Sequence, residues 1–171
     1  MNYGSTPVGS LKITHSSSGI TSLTLTSGRS GQSKRSAAAV HLRQIDEYFA
    51  GQRTRFSLPL DLRQGTAFQR KVWSALATIP YGQTLTYGEL ASRIGKPRAV
   101  RAVASAVARN PVAIVVPCHR VVPKSGPQPG KPARTAKWPG GFAWGTERKK
   151  WLLEHERKAT EAAEVAEAKE E

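Results

Sequence analysis

The chain has 171 residues, enough for one domain or two small ones, and its 26 basic against 12 acidic side chains give a formal net charge of +14, a field that favours polyanions as partners. No apolar run reaches the roughly 20 residues of a membrane span, and the N-terminus lacks the basic-then-apolar layout of a signal peptide, so a cytoplasmic, nucleoid- or DNA-associated protein without membrane contact is expected. The lone cysteine excludes an internal disulfide and the four scattered histidines offer no metal-ligand spacing, so neither a disulfide staple nor a structural zinc is expected.

Residues 3–26 alternate apolar and small polar side chains in GSLKITHS and GITSLTLTS, which predicts a β-hairpin or short meander turning at SSSG. A loop, SGRSGQSKRS, follows. In AAAVHLRQIDEYFAG, Val40, Leu42, Ile45, Tyr48 and Phe49 lie at helical spacing, and Gly51 is a natural stop. Residues 52–65 read as extended and punctuated by proline and glycine, and a domain connection is placed there.

TAFQRKVWSALATIP predicts a helix capped by Thr66, with Phe68, Val72, Trp73, Leu76 and Ile79 on its apolar side, ending before Pro80. YGQTLTYGELASRIG predicts a turn and a second helix, with Thr86 and Glu89 spaced as a capping box and Gly95 as the stop. A third helix is expected from Pro97 through KPRAVRAVASAVARN, and the short connection gives helix-turn-helix spacing. Ala99, Ala102, Ala104, Ser105, Ala106 and Ala108 keep its surface small. Tight helix packing would explain that surface, but Arg98 and Arg101 near its N-terminal end, in so basic a chain, point towards DNA.

Residues 123–141 contain five prolines, four basic residues and no acidic ones, and are expected to be a loop. GTERKKWLLEHERKATEAAEVAEAKEE predicts a last helix from Thr146 or Glu147, with Trp151, Leu152 and His155 inward and a solvated end beyond Arg157. Residues 157–171 hold five acidic and three basic side chains, leaving 23 basic against 7 acidic in the rest of the chain. His15 and His41 are given no function.

The one cysteine lies in NPVAIVVPCHRVVP, where a strand-like run, VAIVV, is broken by Pro117 before Cys118, His119 and Arg120. A free cysteine is commonly a small buried hydrophobe. An imidazole and a guanidinium beside it could instead stabilise a thiolate, the form that attacks. On the residues alone the two readings stand level. A thioredoxin-like site needs a second cysteine, and no peptide-binding motif supports a cysteine protease. A reactive thiol here would belong to a DNA-binding protein.

NPVAIVVPCHRVV closely resembles the active-site motif of the O6-alkylguanine-DNA alkyltransferases, where the cysteine follows proline and precedes His-Arg-Val. The resemblance continues in FQRKVWSALATIPYGQTLTYGELASRIGKPRAVRAV and in GFAWGTERKKWLLEHE, dense over about residues 66–157. It implies an α/β N-terminal domain of ribonuclease-H-like fold over 1–62, an α-helical C-terminal domain with a winged-helix-like helix-turn-helix over 63–157, and a charged tail over 158–171. Relatives that only bind damaged DNA carry tryptophan at the acceptor position, whereas this chain keeps Cys118.

The resemblance also implies roles for particular residues. Cys118 accepts the alkyl group, His119 takes its proton through a water, and Glu156 orients the imidazole; Glu154, about 200° away around a helix, should not substitute. Asn110 ties the active-site turn to the helix-turn-helix, and Arg120 organises the site. A base inside a duplex cannot reach a buried thiol, so the nucleotide is flipped out. Arg101 fills the gap in the stack, and Tyr87 assists rotation and contacts the base. The helix enters the minor groove, with Arg98, Ala102 and Ser105 at the DNA, which suits repair in any sequence. Tyr87, Val121, Phe142, Ala143 and Trp144 line the guanine pocket, with Phe142 standing where many relatives carry tyrosine. The implied partner is double-stranded DNA containing O6-alkylguanine, bound by a monomer, with no cofactor. The competing class is a non-enzymatic DNA-binding protein, a lesion sensor or a transcription regulator.

Overall fold

The computed structural model describes residues 2–26, 38–124 and 139–168; the loop expected after Thr26, most of the 123–141 loop and residues 169–171 of the tail lie outside the described residues. The chain divides into two compact units, Met1–Gln64 with Pro111–Val115, and Gly65–Asn110 with Val116–Glu171.

In the first unit the alternating segment is a three-stranded antiparallel meander of β1 (Asn2–Thr6), β2 (Gly9–Ser16) and β3 (Gly19–Leu25). The period of two turns Leu11 and Ile13 into the core and leaves Lys12 exposed, and an irregularity in the β2–β3 pairing between Thr14 and His15 breaks the alternation, so that His15 is exposed as well. Helix α1 (Ala38–Phe49) adds Ile45 and Tyr48 to that core. Burying each such side chain contributes about 1.5–3 kcal/mol.

Residues 52–64 are integrated into this unit rather than merely leading away from it. The Gln44 amide grips the backbone of Ser57 at both its N–H (2.8 Å) and its carbonyl (3.2 Å). Ile20 N–H donates to Pro59 O and Asp61 N–H to Ile20 O, at 2.8 and 2.9 Å. That pairing requires glycine at position 19, where a Cβ would lie 2.6 Å from Pro59 O and φ is +151°.

The run VAIVV, expected as a strand, is not one. Pro111 O accepts from Leu23 N–H at 2.8 Å and Val112 makes a single bridge to Leu23, after which the chain turns at Ile114 with φ +73°. A β-branched residue there costs on the order of 1–3 kcal/mol. Burial of Val112, Ala113 and Ile114 offsets it, and a fully buried turn has the same apolar composition as a buried strand.

In the second unit, α2 (Ala67–Ala77) starts at Thr66, whose hydroxyl accepts from Gln69 N–H while the Gln69 side chain accepts from Thr66 N–H. Val72, Trp73, Leu76 and Ile79 are buried and Phe68 is half-buried. A two-residue strand, β4 (Leu85–Thr86), leads into α3 (Tyr87–Arg93), capped by the Thr86–Glu89 box. Each cap stabilises its helix by about 1 kcal/mol. Helix α3 ends in a Schellman turn: Lys96 N–H reaches Ala91 O at 2.8 Å, Gly95 N–H reaches Ser92 O at 2.9 Å, and Gly95 takes φ +72°.

Helix α4 runs Val100–Ala108, so Pro97 and Arg98 lie in the turn before it rather than in its first turn as expected. Without a side-chain cap at Ala99, the α-helical pattern starts later than the favourable N1 proline suggested. Its small residues divide by face. Ala106 is buried and its carbonyl accepts from the Trp73 indole N–H at 2.9 Å, so close packing explains that side. Ala102 and Ser105 are exposed.

After a 3-10 turn at Cys118–Arg120, β5 (Val121–Val122) pairs in parallel with β4. Helix α5 (Thr146–Glu167) buries Lys149, Leu152 and Glu156, and from Glu161 to Ala166 it is exposed, a solvated extension as its composition predicts. Among the described residues no helix is long and apolar enough to cross a membrane.

Candidate active site

The β4–β5 pairing, Leu85 with Val121 and Thr86 with Val122, holds two distant sequence motifs together. It sets Tyr87, the first residue of α3, beside the strand that continues from the Cys118–Arg120 turn. Asn110, just past α4, closes the loop from the other side, since its amide donates to Val116 O at 2.7 Å and also hydrogen-bonds the Cys118 thiol.

Glu156 is the hub of the buried charges. Its Oε1 lies 2.7 Å from His119 Nε2 and 2.9 Å from Arg120 Nη2, and its Oε2 accepts from Arg120 Nε at 2.8 Å and from Gly82 N–H at 3.1 Å. All three side chains are buried, while Glu154 is exposed. Arg120 also donates to Ile79 O at 2.6 Å and stands 5.5 Å from the Tyr81 ring, whose hydroxyl is pushed up to about 12 chiefly by burial.

The arrangement fixes protonation states. Burial works to raise Glu156, but His119 and Arg120 outweigh it and hold the carboxyl well below the ordinary range. An ionised Glu156 makes His119 Nε2 the donor, so Nδ1 carries the free lone pair, and Nδ1 is buried with no hydrogen-bond partner among the described residues. Burial keeps His119 below its ordinary value against the pull of Glu156, so the ring is neutral and can accept a proton. The Cys118 thiol is pushed up by burial, an effect that the Asn110 amide, Lys149 and the backbone amides of Cys118 and His119 reduce without reversing. The resting pair is therefore a thiol and a neutral imidazole.

One expectation shifts here. The guanidinium of Arg120 is committed to Glu156 and Ile79 rather than to the thiol. The cation whose charge acts on Cys118 is Lys149, fully buried and unnoticed in the sequence, where a lysine on a helix reads as solvated. The available signal was its spacing: Lys149, Leu152 and Glu156 fall at i, i+3 and i+7, one face of α5.

Of the residues expected around the base, Val121 is buried, Tyr87 and Phe142 are half-buried and Ala143 is exposed. Trp144 is buried, its ring 5.9 Å from that of Phe142, and Gly145 N–H closes the turn on Phe142 O at 2.9 Å. Arg98, Arg101, Ala102 and Ser105 are all exposed at the start and outer face of α4, and the Ser105 hydroxyl accepts from Arg109. Among the described residues there is no cluster of three or more metal-ligating side chains.

Comparison with known proteins gives a consistent picture. The family model of the 6-O-methylguanine DNA methyltransferase DNA-binding domain matches residues 67–158, and that of the ribonuclease-like domain of the same methyltransferases matches residues 2–62. A methylated-DNA–protein-cysteine methyltransferase of Mycolicibacterium paratuberculosis is 48% identical over 127 residues, 74% of this chain and 70% of its own. A probable methyltransferase of the same name from Acanthamoeba polyphaga mimivirus is 48% identical over 118 residues, 68% of this chain and 70% of its own. Among solved structures, Mycobacterium tuberculosis OGT in complex with DNA superposes with a TM-score of 0.74 at 40% identity, over 92% of each chain.

Proposed function

The chain belongs to the 6-O-methylguanine DNA methyltransferase family, and from that premise we propose that it repairs O6-alkylguanine in DNA by direct damage reversal, moving the alkyl group irreversibly to Cys118. The observation that carries the assignment to this thiol is the buried Glu156–His119 pair, which leaves a basic Nδ1 next in sequence to the chain's only cysteine.

The thiol gives its proton to Nδ1 of His119, directly or across one water, and Glu156 stabilises the imidazolium that forms. The thiolate attacks the alkyl carbon, a C–S bond forms, the C–O6 bond breaks, and its electron pair stays on the guanine oxygen. The departing guanine anion takes up one proton as the His119 imidazolium gives one back, so the step balances without a cofactor. A thioether is not hydrolysed under these conditions, so each molecule acts once. Arg101 fills the stack after the nucleotide flips into a site lined by Tyr87, Val121, Phe142, Ala143 and Trp144, and Asn110 and Arg120 hold the turn. The protein works as a monomer on duplex DNA.

Mass spectrometry after incubation with an O6-methylguanine duplex tests this reading. One added methyl on the peptide containing Cys118 is the expected result. An unmodified peptide under conditions of demonstrated binding would replace it with a non-enzymatic sensor or regulator.

Two further outcomes are expected. DNA affinity should fall linearly with salt on logarithmic axes, by a slope of about −0.9 for each phosphate contacted, because bound counterions are released; a flat dependence in a filter-binding titration would remove DNA as the partner. Free O6-benzylguanine should inactivate the protein slowly, since the Trp144 ring backs Phe142 at 5.9 Å and leaves little freedom for a second aromatic group. Trp144→Ala should speed that inactivation roughly tenfold. Fast inactivation of the unaltered protein would contradict the narrow pocket.

A further inference from the structure

Lys149 lies outside the proton-transfer pair described above, yet its burial is complete. Its Nζ donates to Val121 O at 2.6 Å and to Gly141 O at 3.2 Å, and stands 6.0 Å from the centre of the Tyr87 ring. Its two acceptors belong to different segments: Val121 follows the Cys118–Arg120 turn, and Gly141 opens the stretch that carries Phe142 and Trp144. No carboxylate lies within salt-bridge distance of it among the described residues. A buried ammonium without a carboxylate is costly, and a polar or charged group in such a place is retained where it serves a site.

The groups that face Nζ are few. Cys118 and His119 come from the 3-10 turn and Tyr87 from α3, with Arg148 and Lys150 adjacent on its own helix. Burial holds the Tyr87 hydroxyl above its ordinary value and so neutral, which leaves the Cys118 sulfur to present the opposite charge once the thiol ionises. Burial brings Lys149 down to about 8, and Cys118 acts in the opposite direction.

We infer that Lys149 is a positioning residue for alkyl transfer: it clasps the carbonyls of Val121 and Gly141, so fixing the base-binding segment to the active-site strand, and sets a cation against the Cys118 sulfur. The inference rests on Cys118 being the alkyl acceptor. The clasp explains how a segment containing Gly140 and Gly141 is held in register with β5. The cation lowers the energy of the thiolate at the moment the proton moves to His119.

The test compares the full chain with Lys149→Met, which removes charge and donors, and with Lys149→Gln, which keeps an amide donor without charge. Three quantities are read: affinity for an unmethylated duplex, rate of methyl transfer, and the pH at which Cys118 becomes reactive towards iodoacetamide. Lys149→Met should bind DNA as the parent does and transfer roughly tenfold to a hundredfold more slowly. Its iodoacetamide midpoint should move up by about one pH unit. Lys149→Gln should recover part of the rate while keeping the raised midpoint.

A folded Lys149→Met that transfers at the parental rate overturns the inference, and so does slow transfer with an unmoved midpoint, which would make the lysine purely structural. Should both variants fail to fold, carbon-13 lysine resonances of the unaltered protein decide it. The Lys149 titration should move to lower pH after Cys118 is methylated, and an unmoved titration rejects the pairing. If the unaltered protein takes no methyl from DNA, the acceptor reading fails by itself, while the iodoacetamide profiles still report on the Lys149–Cys118 pairing.

Discussion

Replacing Glu156 with alanine is expected to abolish methyl transfer and to destabilise the fold by about 3–5 kcal/mol, because it leaves the buried guanidinium of Arg120 without its carboxylate. Four hydrogen bonds end on this one side chain, and the backbone N–H of Gly82 loses its acceptor as well. Glu156→Gln separates the two losses. It keeps the shape and one oxygen acceptor, but the charge that fixes the His119 tautomer and supports the imidazolium is gone. Transfer should fall about 10²–10⁴-fold with a smaller loss of stability. Single-turnover transfer and urea unfolding measure the two effects; a Glu156→Gln protein that transfers at the parental rate would remove Glu156 from the proton path.

The same carboxylate gives a pH dependence of known sign. Its folded value is depressed below the ordinary 4.5, so its contribution is fully present above that value and is lost as pH falls towards the depressed one. The stability difference between the parent and Glu156→Gln should therefore be constant at neutral pH and shrink progressively below about pH 4. A difference unchanged down to pH 3 would mean that the Glu156 carboxyl is not depressed in the fold.

What the sequence made legible was what local chemistry decides. The Thr66 cap and the Thr86–Glu89 capping box need only neighbouring residues, and both are present, with Gln69 completing a second box at Thr66 that the sequence reading does not include. The period of two in GSLKITHS places Leu11 and Ile13 inside whatever the strand pairs with. VAIVV reads as a strand because burial of four of its five residues erases periodicity, so a turn through Ile114 looks like a buried strand. Lys149 and Glu156 posed the same problem in reverse. Charged residues on an amphipathic helix are assigned to solvent, and only the β4–β5 pairing and the Cys118–Arg120 turn supply the partners that bring them in. The motif resemblance identified Glu156, which spacing had not, and passed over Lys149.

Arg101→Ala is expected to slow methyl transfer in duplex DNA by about 10²-fold while changing reaction with a free alkylated guanine by less than about twofold. On the surface of α4, Ala102 and Ser105 leave a shallow exposed face, so its backbone can come close to a groove, and Arg101 projects from the first turn of the same helix. A flipped nucleotide leaves an unstacked gap whose cost recurs with every capture attempt, and a planar guanidinium can occupy that gap whatever the sequence. A free base has no stack to refill, so the substitution leaves that reaction alone. Arg98 is exposed in the turn ahead of the helix, and for it we propose a phosphate contact. Arg98→Ala should weaken binding to all sequences and reduce the salt slope by about one. Equal losses on duplex and free base for Arg101→Ala would place the arginine in the chemistry or in the fold and leave the stack without an assigned occupant.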